Sequence, residues 1–474
     1  MHILSKSTYI KGLQCEKALY MFKKHPYLRD HISIEQRAKF QRGTDVGVLA
    51  HACFPGGVDM TPAFPAHFPK KAEETRQNLS NPDVNVMYEA VFQYNDTLIM
   101  LDMLVRDGDR WIAIEVKSSM ALSTTYYNDS ALQYYVLHGC GVPLSDFRLM
   151  YINGDYVRHG EINVKQLFKF ESVLDYVKEH ESQVAQNVER LKGVVALPHS
   201  PIINIGTQCH SPYTCDFIGH CWKLIPKDSY LYTTAIDDRH LFEYYFDGIN
   251  SNKKMLMISD PNSLEARQIE ALQSGSYYID YKKLYTIAPL PRPKSVGFLN
   301  LLIHRPAVPE LEGTRPYQEL ILAFALQGDH EEGGCFVWHC FDDHSRWRDS
   351  IPLLVEKLSH YAQIVCFTPQ NLSTTLLRHE IIQNKEVGHK VFNLFDVLQQ
   401  CDFYDPKIKK GFTLQHLCEA LFPDIATFEH SKILMEALSQ ELTSYQQAEE
   451  DLLIENQIVE KTYQKFFNTC AVDK

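Results

Sequence analysis

Asp102, Glu115 and Lys117 have the types and spacing that can do chemistry. They lie in TLIMLDMLVRDGDRWIAIEVKSS, residues 97–119, where two apolar runs flank Asp107-Gly108-Asp109-Arg110. Those four residues predict a hairpin with a two-residue Gly-Asp loop, the glycine supplying the positive φ such loops need. With Asp107 and Arg110 flanking the loop, the register sets Asp102 directly opposite Glu115. Alternation puts Trp111, Ala113, Glu115 and Lys117 on one face and Ile112, Ile114 and Val116 on the other. Opposed carboxylates roughly 5 Å apart destabilise an apolar hairpin unless a cation lies between them. A hard divalent ion such as Mg²⁺ or Mn²⁺ takes one or two carboxylates and leaves its other positions to water and phosphate. Lys117, on the same face, could orient a water or offset phosphate charge. An ordinary hairpin with a surface Glu115–Lys117 ion pair uses the same residues; the apolar runs around them favour the metal reading.

Further candidates flank the hairpin. His51 sits in GVLAHACF, expected as a helix, Glu89 lies on the strand before the hairpin, and Gln133 and Tyr135 follow in ALQYYVL. A second constellation is Cys15 with Cys209, Cys215 and Cys221, the last three spaced C-x5-C-x5-C. Four thiolates can hold Zn²⁺ or an iron–sulfur cluster, and such a site would tie the two ends of one domain together. Cys53, Cys140, Cys335, Cys340, Cys366, Cys401, Cys418 and Cys470 lie in apolar or scattered settings and carry no assigned role.

The elements that must hold these residues are those of an α/β protein. Residues 5–40 read as helical with Ser5 or Ser7 as N-cap, then three strands end at EVKSS. A helix from Asp129-Ser130 to Leu137 closes at Gly139, the strand FRLMYIN follows, and a long helix is expected near 164–192. Residues 200–225 read as a loop, 236–285 as short helices, and the proline-rich 287–295 as a boundary. A second α/β domain runs from VGFLNLLI to about Pro423, and the tail from Glu429 has helical periodicity.

With 474 residues, 45% hydrophobic and 22% charged, the chain has the composition of an ordinary soluble protein of two or three domains. A net charge of −12 supplies no global basic field, so nucleic acid would have to be met in a local groove. No apolar leader precedes the first helix and no run approaches 18 apolar residues, so a cytoplasmic protein without an anchor is expected, its twelve cysteines unpaired. No G-x4-G-K-[ST] loop occurs, so any unwinding needs a partner helicase.

In order along the chain, Cys15, His51, Asp102, Glu115-Val116-Lys117, Gln133 with Tyr135, and the late cysteine trio resemble the iron–sulfur branch of the PD-(D/E)XK nuclease superfamily. That branch includes RecB-like, AddB-like and CRISPR-adaptation exonuclease-like nucleases. The resemblance implies that His51, Asp102, Glu115 and the Val116 carbonyl bind Mg²⁺ or Mn²⁺. It also implies that Lys117 assists the water, with Gln133 in the active site and Glu89 and Tyr135 as accessories. The cysteines would hold a structural cluster, 4Fe–4S foremost with zinc as the alternative. The trio departs from the commoner x2-x5 spacing, and the Gln–Tyr spacing is short.

LSKSTYIKGLQCEKALYMF, EVKSSM, PYTCDFIGHCW and, later, VFNLFDVLQQCDFYDPKIKKGFTLQHLCEALFP are similar to a bacterial family that pairs such a nuclease with a C-terminal domain of unknown function. That second domain looks RNase H-like, of the DnaQ type, and its fold needs an acidic D-x-E on the first strand. Here that stretch is Phe298-Leu299-Asn300-Leu301-Leu302-Ile303, with both acids missing, so Asp396 alone cannot assemble a two-metal site. Asp329, Glu331 and Glu332 read as a solvated loop. The implied layout is a nuclease domain at 1–225, a helical connector at 226–290, a degenerate RNase H-like domain at 291–425 and a helical tail at 426–474. The implied activity is metal-dependent cleavage of DNA in repair or defence, beside a helicase or other partner and without a membrane. The alternative is a non-catalytic nucleic-acid-binding or scaffold protein.

Overall fold

The computed structural model describes residues 3–32, 34–288, 293, 295–328, 334–368, 387–408, 412–425, 430–438 and 445–468. Asp329, Glu331, Glu332 and Cys470 lie outside them. The chain is mixed α/β and divides into two compact units, Met1–Leu224 with Pro306–Tyr317, and Ile225–Arg305 with Gln318–Lys474. No helix among the described residues is long and apolar enough to cross a membrane.

The first unit is built on a seven-stranded sheet in the order Val58–Asp59, Val86–Tyr94, Thr97–Asp107, Arg110–Lys117, Leu144–Ile152 and Phe168–Ser172, with Leu4–Ser5 paired in parallel to Thr97–Asp107. The expected turn forms: Asp107 faces Arg110 across Gly108 at φ 61°. Trp111 and Ala113 enter one core, Ile112, Ile114 and Val116 the other. The Thr124–Gly139 helix then returns the chain to Leu144–Ile152, parallel to Arg110–Lys117. A parallel neighbour requires such a crossover. This helix begins five residues earlier than its apolar pattern predicted, behind the N-cap Ser123.

Regular alternation fails at two neighbouring positions. Leu101 and Leu104 belong to the core of Trp111, whereas Met103 and Val105 belong to that of Ile114, so odd and even exchange faces at Asp102. On the preceding strand the exchange occurs at Glu89, which takes a left-handed φ of 52°. The hairpin ladder runs only from Asp107↔Arg110 to Met103↔Ile114. Asp102 and Glu115 are therefore not the ladder pair the register predicted, because the strand is kinked where they would have met.

The single helical stretch expected over 5–40 is broken. Lys6–Gln14 and Glu16–Lys24 are separate helices meeting at Cys15, whose φ of −160° is extended, and Ile34–Ala50 is a third. The long helix expected near 164–192 starts later, at Leu174–Ala196, because Phe168–Ser172 joins the sheet edge first.

The second unit has five strands in the order Phe336–His339, Leu320–Gly328, Val296–His304, Gln363–Cys366 and Val391–Asn393, the first three antiparallel and the last two parallel to Val296–His304. The connector helices are part of it, since Ile279, Leu284 and Ala288 enter its core. The tail is also integral. The Tyr445–Tyr463 helix brings Val459 and Tyr463 into that core, followed by Phe466 and Phe467. The proline-rich 287–295 is thus no boundary between compact units, while Pro306–Tyr317 belongs to the first unit despite its place in the sequence.

Candidate active site

Where the hairpin ladder stops, the Asp102 carboxylate takes over a backbone role: its Oδ2 accepts the Val116 N–H at 2.6 Å. Glu115 is 1% exposed and both its oxygens are engaged. Oε1 accepts from Lys117 Nζ at 2.6 Å and Lys6 Nζ at 2.7 Å, and Oε2 from Gln133 Nε2 at 2.8 Å. Lys117 also reaches Asp129 Oδ2 at 2.6 Å and lies 5.1 Å from the centre of the Tyr126 ring. Gln133 and Asp129 stand four residues apart on one face of the Thr124–Gly139 helix, which is why both meet the end of the Glu115 strand.

Burial, then repulsion from Glu115, raises the Asp102 carboxyl well above the usual range. The same two causes push Glu89 up to about 7. Burial opposes ionisation of Glu115 too, but Lys117 and Lys6 outweigh it and hold that carboxyl below the usual range. Burial likewise disfavours the Lys117 ammonium, yet Glu115 and Asp129 win and raise it.

Glu89 carries a pH signature. Its folded value lies above its ordinary 4.5, so its contribution to stability is complete below pH 4.5 and is lost as pH rises through about 7. In metal-free protein Glu89→Gln is expected to be neutral in the acid range and stabilising by up to about 3 kcal/mol above pH 7, as read from melting temperature against pH.

Lys6 and Asp129 were not singled out from the sequence. Lys6 opens a helix whose start is set by Ser5, the N–H of Ser5 donating to Thr8 Oγ1 at 2.7 Å, and by Leu4↔Thr97 and Ser5↔Leu98 pairing. That pairing, across nearly a hundred residues, helps bring it to Glu115. Tyr317 was missed as well; its hydroxyl donates to the Ser118 carbonyl, directly after Lys117.

Two expected members make their contacts with other groups. Tyr135 accepts from Asn95 Nδ2 at 2.8 Å and packs edge-on against Tyr94, because a residue two places from Gln133 faces away from it on a helix. His51 follows the Ile34–Ala50 helix in a short 3₁₀ turn and stacks on Tyr88 with ring centres 4.0 Å apart. Its Nε2 is buried without a partner, and burial lowers its pKa against the pull of Asp59.

No three His, Cys, Asp or Glu side chains among the described residues converge on an ion position as they stand. The donor set nevertheless suits a hard cation: carboxylates, with Asp129 Oδ1 and Gln133 Oε1 buried and unpartnered beside them. Asp102, Glu115, Glu89 and Asp129 against Lys6 and Lys117 leave two negative charges when all are ionised, which a divalent ion balances.

Cys15, Cys209, Cys215 and Cys221 line one small cavity of about 20 Å³, otherwise walled mainly by apolar groups including Ala18, Met21, Ile203 and Phe217. Burial raises the Cys15 and Cys221 thiols and pushes Cys215 up to about 11, with Cys209 raising all three further. Thiols gathered in an apolar cavity fit a group that takes thiolate ligands. The walls are stapled across the sequence: Lys11 to Asp216 at 2.8 Å, Gln14 Nε2 to the Gln208 carbonyl at 2.8 Å, and the Asp30 N–H to the Asp216 carbonyl at 2.7 Å.

In the second unit Asn300 donates to Glu455, Leu302 is fully buried, and Asp396 Oδ2 accepts from Asn393 at 2.9 Å. No acidic trio gathers there among the described residues.

No family model and no curated protein matches the sequence. Among solved structures, the crystal structure of SSO0001 matches with 12% sequence identity over 47% of this chain and 87% of that chain, at a TM-score of 0.21, a likeness that carries no argument.

Proposed function

We propose that the chain is a metal-dependent deoxyribonuclease of the PD-(D/E)XK type, in which the second unit is an inactive RNase H-like module. The observation that carries the reading is the buried contact set in which Glu115 accepts from Lys117 and Gln133 while Asp102 accepts the neighbouring Val116 N–H, at the point where the hairpin strands part. A protein needing only a stable hairpin has no use for charged groups there, since burying them is costly unless each is paired. The strand order of the second unit, three antiparallel and two parallel, supports the RNase H-like reading, and Asn300 and Leu302 at its acidic positions support inactivity.

Asp102, Glu115 and His51, with the Val116 carbonyl, would hold Mg²⁺ or Mn²⁺, the His51 Nε2 being buried without a partner. Such an ion lowers the pKa of its water and polarises a phosphate. Gln133 fixes the rotamer of Glu115 through Oε2. Lys117, locked between Glu115 and Asp129, is preorganised to orient the water nucleophile or to meet charge developing on the phosphate. The thiol cavity would hold an iron–sulfur cluster, or zinc, that braces the early helices against the late loop.

The test is cleavage of end-labelled single- and double-stranded DNA with Mn²⁺ or Mg²⁺ by anaerobically purified protein. Metal-dependent cleavage is expected, with the product ladder distinguishing exonuclease from endonuclease action. Binding of DNA without cleavage, by protein with its cluster intact, would favour a binding scaffold.

A further inference from the structure

We propose that Lys6 is a built-in counter-ion of the carboxylate cluster, one that a divalent cation must displace from Glu115 in order to bind. The inference rests on reading that cluster as a metal site. A carboxylate offers about four lone-pair positions. On Glu115 three are filled: Lys6 and Lys117 on Oε1 at 2.7 and 2.6 Å, and Gln133 on Oε2 at 2.8 Å. A divalent cation arriving at the same carboxylate meets two ammonium groups that already repel each other, so one must withdraw.

Geometry selects Lys6. Lys117 is 14% exposed and makes two contacts of 2.6 Å, to Glu115 and Asp129. Lys6 is 31% exposed, makes one close contact, and stands 3.8 Å from Asp129. It has the fewer close contacts and the more exposed side chain. Its arrival is no accident of a flexible surface side chain, because strand pairing at Ser5 and the capped helix start deliver residue 6 to this point. Asp129 Oδ1 and Gln133 Oε1, on residues 7% and 0% exposed, remain as buried unpartnered acceptors on two residues of the same cluster. They are held in place by contacts of their other atoms to Lys117 and Glu115. The ammonium thus offsets part of the cluster's charge without metal and sets the threshold at which metal loads.

The experiment is calorimetric titration of the full chain with Mn²⁺ near neutral pH without nucleic acid, comparing wild type with Lys6→Met, Lys6→Gln, Lys6→Arg and Glu115→Ala. Lys6→Met and Lys6→Gln are expected to bind Mn²⁺ about tenfold more tightly, the scale of a moderate coupling between two ligands. Lys6→Arg keeps the charge and is expected to stay close to wild type. Lys6→Gln carries the test should Lys6→Met fail to fold, as judged by circular dichroism. Unchanged or weaker Mn²⁺ binding in the neutral variants, with binding lost in Glu115→Ala, overturns the role of Lys6 and leaves the metal site standing. Wild-type binding in Glu115→Ala overturns the metal site itself, and the proposal with it. A purely structural lysine would give no gain in affinity on removal.

Discussion

Glu115→Ala is expected to lower metal-dependent DNA cleavage by at least about a thousandfold in kcat, more than the loss of a single transition-state hydrogen bond. The substitution removes the one group that Lys6, Lys117 and Gln133 all contact, so it would take away the proposed metal ligand and the anchor of the lysine proposed to orient the water together. Lys117→Ala is expected to cost about a hundredfold or more while leaving Mn²⁺ bound, because Asp102 and Glu115 remain. Groups that act as a unit do not add, so the double variant should be little worse than Glu115→Ala. Single-turnover rates with saturating Mn²⁺ and labelled DNA separate these cases. Cleavage that survives Glu115→Ala would move the active site elsewhere in the chain. The second unit is a poor candidate, since Asn300 is tied to Glu455 and Leu302 is buried.

The second large effect concerns the thiol cavity. Cys209→Ser is expected to abolish absorbance near 400 nm in anaerobically purified protein and to destabilise the first unit by at least about 3 kcal/mol. For a unit of this size that is roughly 6–12 °C in melting temperature. A group held by the four thiolates would bind the folded state, so its affinity would add to folding stability. Cys209 is 8% exposed and its influence is felt by the other three thiols, so one substitution opens the whole set. Cys140, exposed on the same unit, is the control: Cys140→Ser should change neither signal. Equal stability of Cys209→Ser and wild type would make the four thiols ordinary buried cysteines. Bound zinc in place of iron would leave the stability prediction intact and remove only the colour.

Much of the hairpin was legible in the sequence, because its determinants are local. Gly108 between Asp107 and Asp109 sets the loop, and period-two alternation then assigns faces to Trp111 through Val116. Gln133 was named from its order after the E-x-K strand and from the resemblance, and its amide does reach Glu115. Alternation could not reveal where it fails. The exchange of faces at Glu89 and Asp102 depends on two strands bending together, and neither sequence carries a glycine or proline to mark it. Tyr135 makes its contacts with Asn95 and Tyr94 instead, since proximity in sequence says little about which side of a helix a residue takes.

The sequence by itself determined the strands, the turn, and the set of carboxylate, lysine and cysteine residues available for chemistry. Tertiary structure alone decided which of them meet. Lys6 reaches Glu115 through strand pairing between Ser5 and Leu98, Tyr317 reaches Ser118 from nearly two hundred residues away, and Cys15 joins three thiols beyond residue 200. The same holds for the tail, whose helical period was plain but whose place inside the second core was not. The physical reason is common to all four. A side chain's type and its secondary structure follow from its neighbours in the chain, whereas its partners follow from the burial of apolar surface by segments distant in sequence.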